Sequence, residues 1–292
     1  MNFNTGKELL DLTQQVGNIY EVILEYEAYT HHIKKDDVVK QLEKSWSIMQ
    51  ASIKTGLEKN RTEKGFMIGG EALKMQDRLK EKDTLCSHSL IKAISYGLSV
   101  MEVNACMGKI VACPTAGSSG VMPAILLNLK ESMDLTDEAI IKGLLVGSGI
   151  GIIIGKNATL SGAQGGCQAE VGSASAMAAA AAVEIMGGTP QMVLTASAIA
   201  IQNLLGLVCD PVAGLVEEPC QKRNAIGIAN ALISAEMALA GINNLIPFDE
   251  VVQAMREVAD IMPMSLRETS EGGIAKTPTG KKYEEEIFSL NE

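Results

Sequence analysis

The sequence predicts an all-α fold, a single bundle-like helical domain, and three observations carry that expectation. Apolar residues recur at three- and four-residue steps over long stretches, the period of one helical face. Several segments are rich in Ala, Leu and Met and end in glycine, which are helix formers followed by a stop signal. Alternating runs of β-branched or aromatic residues are scarce; "KIVACPT", residues 109–115, is the best strand candidate and it is short.

The elements follow in chain order. Val39, Leu42, Trp46, Met49, Ile53 and Leu57 mark an amphipathic surface helix. In "CPTAGSSGVMPAILL", residues 113–127, Gly and Ser crowd into a loop ahead of a helix starting near Val121. "LTDEAIIKGLLVGSG" opens with Thr136 as an N-cap and acids in the first turn. "GSASAMAAAAAVEIMGG" and "TPQMVLTASAIAIQNLLGLV", the second with Pro190 near a first turn, read as buried helices. The apolar run from Met192 to Cys209 is taken as one buried helix despite Gln202 and Asn203. "RNAIGIANALISAEMALAG" is apolar on nearly every face. Aromatic residues make up 3% of the chain, so the core falls to Ala, Leu, Ile, Val and the 15 methionines.

No repeat or Pro-rich linker divides the 292 residues, so one domain spans 1–292, with less distinctive N-terminal helices over 1–65 and a C-terminal tail over 269–292. That tail reads as an ordered loop over something or as a frayed end. Net charge is −10, with no basic stripe. This excludes nucleic acid and an anionic membrane surface as partners and leaves small molecules or protein. The N-terminus has no apolar segment of a secretory signal, and the most apolar run, residues 143–155, falls short of the about 20 residues of a membrane span. A cytoplasmic location follows, where the six cysteines are free thiols, metal ligands or nucleophiles rather than disulfides.

Glycine clusters invite a nucleotide reading, but "GSGIGIIIGKN" lacks the spacing and the Ser or Thr after Lys of a phosphate loop. The "TAGSSG" loop is more specific. Loop N–H groups, hydroxyls and a helix N-terminus together form a cradle for a carboxylate or phosphate, and equally form an ordinary capped glycine turn. Cys167 sits in "SGAQGGCQAEVGSASA", Cys209 follows 42 residues later and Cys220 a further 11. Each alone reads as a small buried hydrophobe. Together they share a Gly/Pro loop context in which thiolates can face a metal. The chain has three histidines, His31, His32 and His88, none in similar context, so a closed zinc site needs an unusual fourth ligand, whereas three thiolates suit a cluster with one open iron.

Four segments, "EVNACMGKIVACPTAGSSGVMPA", "GGCQAEVGSASAMAAAA", "CDPVAGLVEEPCQKRNAIGIANA" and "LRETSEGGIAKTPTG", resemble the alpha subunit of the iron–sulfur-dependent L-serine dehydratases (L-serine ammonia-lyases). The match runs from about Glu71 to the C-terminus. The resemblance implies a helical fold with Gly-rich loops forming the cluster site. It also implies a 4Fe-4S cluster on Cys167, Cys209 and Cys220 with one iron free of cysteine, and no pyridoxal phosphate or nucleotide. The implied reaction turns L-serine into pyruvate and ammonia. Thr115, Gly117, Ser118, Ser119 and Gly120 would hold the substrate carboxylate, with Asn104, Arg223 and Arg267 as further candidates from the matching motifs. The family's Ser-Ser-His-Thr motif belongs to a separate beta chain or fused domain and is missing here, so the resemblance implies a beta-subunit partner. Glu170 is the local candidate for the base, or a group that orients a ligand. Cys113 stands directly before "PTAG" in that motif, where a ligand role is not implied.

Two other enzymes and one non-enzyme compete with this expectation. A cysteine desulfidase-type lyase would use the same cluster, and a pyridoxal-phosphate dehydratase would use "TAGSSG" as phosphate cradle but lacks a convincing Schiff-base lysine. A non-catalytic subunit with a structural metal is the third.

Overall fold

The computed structural model describes residues 2–289, which form thirteen α-helices joined by short 3-10 and π turns. The fold is all-α, as expected. The N-terminal part holds α1 (Gly6–Val16), α2 (Ile19–Thr30), α3 (Lys35–Gly56) and α4 (Glu71–Arg78). The centre holds α5 (His88–Ala105), α6 (Val121–Met133), α7 (Asp137–Asn157), the single turn α8 (Gly162–Gly165), α9 (Ser173–Ile185) and α10 (Pro190–Gln202). The remaining helices are α11 (Cys220–Leu239), α12 (Phe248–Ile261) and α13 (Pro278–Ser289).

The Ala-rich helix α9 is the axis of the molecule. Every residue from Ser173 to Val183 is buried, and α6, α7, α10 and α11 all pack on it. A helix surrounded on all sides must be apolar on all sides, which explains its lack of a polar face. Small side chains set the distances. A methyl group on Gly147 of α7 would lie 2.6 Å from the Met177 carbonyl oxygen, so α7 and α9 approach to backbone contact only because that carbon is missing. The same device joins α5 to α6, since a Cβ on Gly120 would lie 2.5 Å from the Gly97 carbonyl oxygen.

The expected helix starts hold. The Thr136 hydroxyl accepts from Ala139 N–H at 3.3 Å, and the Thr189 hydroxyl accepts from Met192 N–H at 3.2 Å ahead of Pro190, satisfying donors that a helix start leaves free. In α3 the expected face buries Trp46, Met49 and Ile53, and the Trp46 indole donates to Asp137 at 2.8 Å.

Three expectations change. Residues 109–115 form no strand; Ile110 and Val111 pack on the core from an irregular connection, and no second strand lies among the described residues to pair with them. The apolar run 192–209 is not one helix. Helix α10 ends at Gln202, because the Gln168 side chain takes the Gly206 N–H at 2.9 Å while Leu207 offers its carbonyl to Gln168 N–H at 2.9 Å. The tail is an ordered loop only as far as Thr277, lying over residues 209–211 with Ser270 Oγ donating to Pro211 O at 2.6 Å and Ile274 N–H to Asp210 at 2.7 Å, and beyond that it is helix, since 278–289 form α13; residues 290–292 lie outside the described residues. Helix α7 is also longer than its most apolar run. Its 21 residues are long and apolar enough to cross a membrane by composition, and 67% of that window is buried inside the bundle.

Replacing Gly120 with Ala forces a methyl group onto the Gly97 carbonyl. Urea unfolding of Gly120→Ala is expected to show a loss of about 1–3 kcal/mol, and an unchanged midpoint would show that the α5–α6 contact yields.

Candidate metal centre

Two chain turns carry the site. The first follows α8: Gly166 adopts φ 73°, open to glycine at little cost, and delivers Cys167 to the head of a π turn, Gln168–Gly172, that runs into α9. The wider turn places Cys167 and Glu170 on the same side, a geometry often found at functional sites. The second is the 209–220 stretch, closed on itself by Val212 N–H to Glu218 O at 2.9 Å and ending where Cys220 begins α11.

Distant segments hold this loop. Cys209 forms a parallel bridge with Arg267; its N–H donates to Leu266 O at 2.9 Å and its carbonyl accepts from Glu268 N–H at 2.7 Å. The buried Asp210 carboxylate accepts from Ile274 N–H at 2.7 Å and pairs with Arg223 at 2.7 Å. Gly273 (φ 59°) passes so close that a Cβ there would lie 2.1 Å from Asp210 Oδ2. The buried Glu217 carboxylate accepts the N–H groups of Phe66, Met67 and Ile68 at 3.1, 2.7 and 3.2 Å. Helix α11 is anchored by Asn224, whose amide donates to the Gly117 and Cys220 carbonyls at 2.7 and 2.9 Å.

The result is a buried donor set. The Cys167 and Cys209 sulfurs and a Glu170 carboxylate oxygen all lie within 4.8 Å of one another. Cys220 is buried at the start of α11, outside that trio, and close enough to feel the charges of Cys167 and Glu170. The Arg223 guanidinium donates to Cys167 Sγ at 3.5 Å and to Val208 O at 2.7 Å. A hydrogen bond from Cys209, reinforced by Arg223, lowers the Cys167 thiol below its ordinary pKa against the opposing effect of burial. Cys209 is raised by sharing that hydrogen bond with Cys167, and Cys220 by burial. Burial also lifts Glu170 above the usual carboxylate range, opposed by a 2.7 Å bond from the Thr115 hydroxyl to Oε1. Soft sulfur donors, a buried carboxylate and a fixed cation beside one sulfur suit a thiophilic metal or an iron–sulfur cluster.

A cavity of about 380 Å³ opens beside this set, bounded by Thr115, Gly117, Ser161, Gly162, Glu170 and Glu268 among others. Gly162 forms the wall nearest the donors: a Cβ there would meet Glu170 Oε2 at 2.4 Å and Cys209 Sγ at 3.1 Å.

Of the residues expected for substrate, Thr115 and Gly117 line this cavity and the others do not. Ser118 and Ser119 are fully buried; Ser118 Oγ pairs with Thr115 Oγ1 at 3.2 Å and Ser119 Oγ donates to Ala116 O at 2.8 Å. The Gly120 N–H is taken by Asn224 Oδ1 at 3.0 Å. Arg223 stands behind the sulfurs. Arg267 turns its guanidinium to the carbonyls of Met262 and Asp260, at 2.7 and 3.1 Å, and so caps the end of α12. Asn104 is half-buried near the end of α5, away from the lining. Asp210, Glu217 and Asn224 were missed as supports, and Gly162 and Glu268 as cavity walls. Asp210 and Glu217 lie inside the stretch "CDPVAGLVEEPC", where acids between two cysteines were the available signal.

An all-helical chain that gathers buried thiols and a carboxylate beside a small cavity has, in class, a donor set that fits a metal ion or cluster. The family model for the serine dehydratase alpha chain matches residues 14–275, and the chain belongs to that family. It is 47% identical over 287 residues to the probable L-serine dehydratase alpha chain of Bacillus subtilis, covering 98% of this chain and 95% of that one. It is also 47% identical over 286 residues to the L-serine dehydratase alpha chain of Peptoniphilus asaccharolyticus, covering 98% of each. L-serine dehydratase 2 of Escherichia coli is 33% identical over 280 residues, which are 94% of this chain and 61% of that longer protein.

Removing the Glu217 carboxylate leaves three N–H groups of residues 66–68 without that acceptor. Glu217→Ala is expected to lower stability by about 2–4 kcal/mol and to speed proteolysis within residues 61–70; a variant as resistant as the parent would show that solvent satisfies those groups.

Proposed function

We propose that the chain is the cluster-bearing alpha subunit of an L-serine dehydratase, a lyase that deaminates L-serine to pyruvate and ammonia. The observation that carries the reading is the buried grouping of Cys167, Cys209 and Glu170 within 4.8 Å, beside a cavity, in a chain of the serine dehydratase alpha family. Cys167, Cys209 and Cys220 would hold a 4Fe-4S cluster. When bound, such a cluster with one iron free of cysteine supplies a Lewis acid for the departing hydroxyl.

The chain's own residues do the rest. Arg223, locked by Asp210 and the Val208 carbonyl, places a fixed positive charge against the negative charge of the thiolates. Gly162 keeps the way from cavity to donors clear. Burial raises Glu170 above its ordinary value, which favours its protonated form more than in a solvated carboxylate. Its Oε2 faces Cys209 while Thr115 fixes Oε1, so it can take up or return a proton at one defined oxygen. The family's Ser-Ser-His-Thr motif is missing from this sequence, and the Escherichia coli relative contains a further region beyond the part this chain matches. Both support a beta-chain partner that completes the site. Six free cysteines suit the reducing cytoplasm.

Replacing Cys167, Cys209 or Cys220 with Ser is expected to abolish both iron–sulfide content and serine-dependent pyruvate formation, because a hydroxyl substitutes poorly for a soft thiolate. Replacing Cys86, Cys106 or Cys113 leaves both in place. Oxygen inactivates the holoenzyme before it unfolds, and ferrous iron with thiol restores it. A fourth cysteine whose loss empties the site would mean a fully ligated cluster and overturn the mechanism.

A further inference from the structure

The cavity wall carries two charged side chains, Glu170 and Glu268, and no lysine, arginine or histidine among the described residues. The nearby cation, Arg223, is spent on Asp210, the Val208 carbonyl and Cys167. An amino acid brings an ammonium group as well as a carboxylate and a hydroxyl, and the two acids make this pocket a place for the ammonium. They differ in availability. Glu170 is buried and already accepts from Thr115. Glu268 is exposed at the cavity mouth, and no hydrogen bond or ion pair engages its carboxylate among the described residues.

Its position is built. Glu268 adopts φ 63°, the left-handed region that a non-glycine residue enters at a cost, and Ser270 two residues on adopts φ 57°. The surroundings enforce this shape: Glu268 N–H donates to Cys209 O at 2.7 Å, Ser270 Oγ to Pro211 O at 2.6 Å, and Ile274 N–H to Asp210 at 2.7 Å. The strap is thus registered against the cysteine loop, and Glu268 stands at a set place relative to Cys209. Gly162, whose missing Cβ leaves Glu170 and Cys209 uncovered, lies on the same cavity.

We infer that Glu268 is a specificity-determining residue that receives the α-ammonium group of the amino-acid substrate, so that the 264–276 strap selects amino acids over hydroxy acids lacking nitrogen. This rests on the serine dehydratase reading and deepens it. The carboxylate of a zwitterion held this way points away from Glu170 and Glu268.

The test uses the iron-loaded holoenzyme with its beta chain, and 3-hydroxypropionate, which is serine without its amino group, as competitive inhibitor. In Glu268→Gln the KM for L-serine is expected to rise about tenfold, the loss of one exposed charge-assisted contact, with kcat changed about twofold or less and iron content and visible spectrum as in the parent. The inhibition constant of 3-hydroxypropionate stays the same or falls, so discrimination between the two shrinks by at least the same factor. Glu268→Asp recovers part of the KM. An unchanged KM in Glu268→Gln overturns the proposal alone, as does a parallel weakening of 3-hydroxypropionate or a loss of iron, each of which marks a structural role. A parent holoenzyme that forms no pyruvate from serine overturns the underlying reading as well.

Discussion

The Asp210 carboxylate, buried beside Cys209, accepts from Ile274 N–H on one side and pairs with Arg223 on the other. A buried acid is tolerated only when its charge is met, and here the two groups that meet it serve the site directly. Arg223 reaches on to Cys167, and Ile274 belongs to the strap that carries Glu268. One side chain therefore couples a sulfur on the α9 side, a sulfur on the loop and an acid on the strap. Removing it would leave a cation unpaired near the thiols and a backbone N–H without its acceptor, so its loss is felt in three segments at once.

The helical frame explains how loops so far apart in sequence meet so closely. Glycine and alanine let α5, α6, α7 and α9 touch backbone to backbone, and close-packed rigid helices hold their ends in fixed relation. The turns at residues 115–120, 162–172 and 209–220 are the ends of such helices. The π turn after Cys167 adjusts the last part of that geometry, bringing Glu170 round to the thiols without interrupting the course into α9.

Much of this was legible in the sequence, and the parts that were not have a common cause. Thr136, Thr189 and Pro190 announced helix starts because capping is local chemistry. Cys167, Cys209 and Cys220 were picked out by loop context and by resemblance, and the structure brings the first two together and buries the third nearby. The Gly/Ser loop misled in its details. Its serines looked available, yet Ser118 and Ser119 are consumed within their own turn, and only the three-dimensional arrangement shows Asn224 taking the Gly120 N–H. Run 192–209 was read as one helix because the interruption comes from Gln168, a residue more than twenty positions away. Arg267 matched a motif by sequence, whereas its guanidinium caps α12 and its two chain neighbours, Leu266 and Glu268, bond the Cys209 backbone.

The strap from Met264 to Lys276 comes after α12, far beyond the cysteine loop in sequence, and supplies the partners of Cys209 and Asp210. During synthesis the amino-terminal helices can fold as they emerge, but the cysteine loop stays without these partners until residues 266–274 have cleared the ribosome. Until then Asp210 lacks the Ile274 N–H, and Cys209 lacks its backbone neighbours. The thiols are thus brought to order only after residue 274 has emerged, and a product truncated before residue 266 would display Cys209 and Asp210 without the backbone partners that fix them.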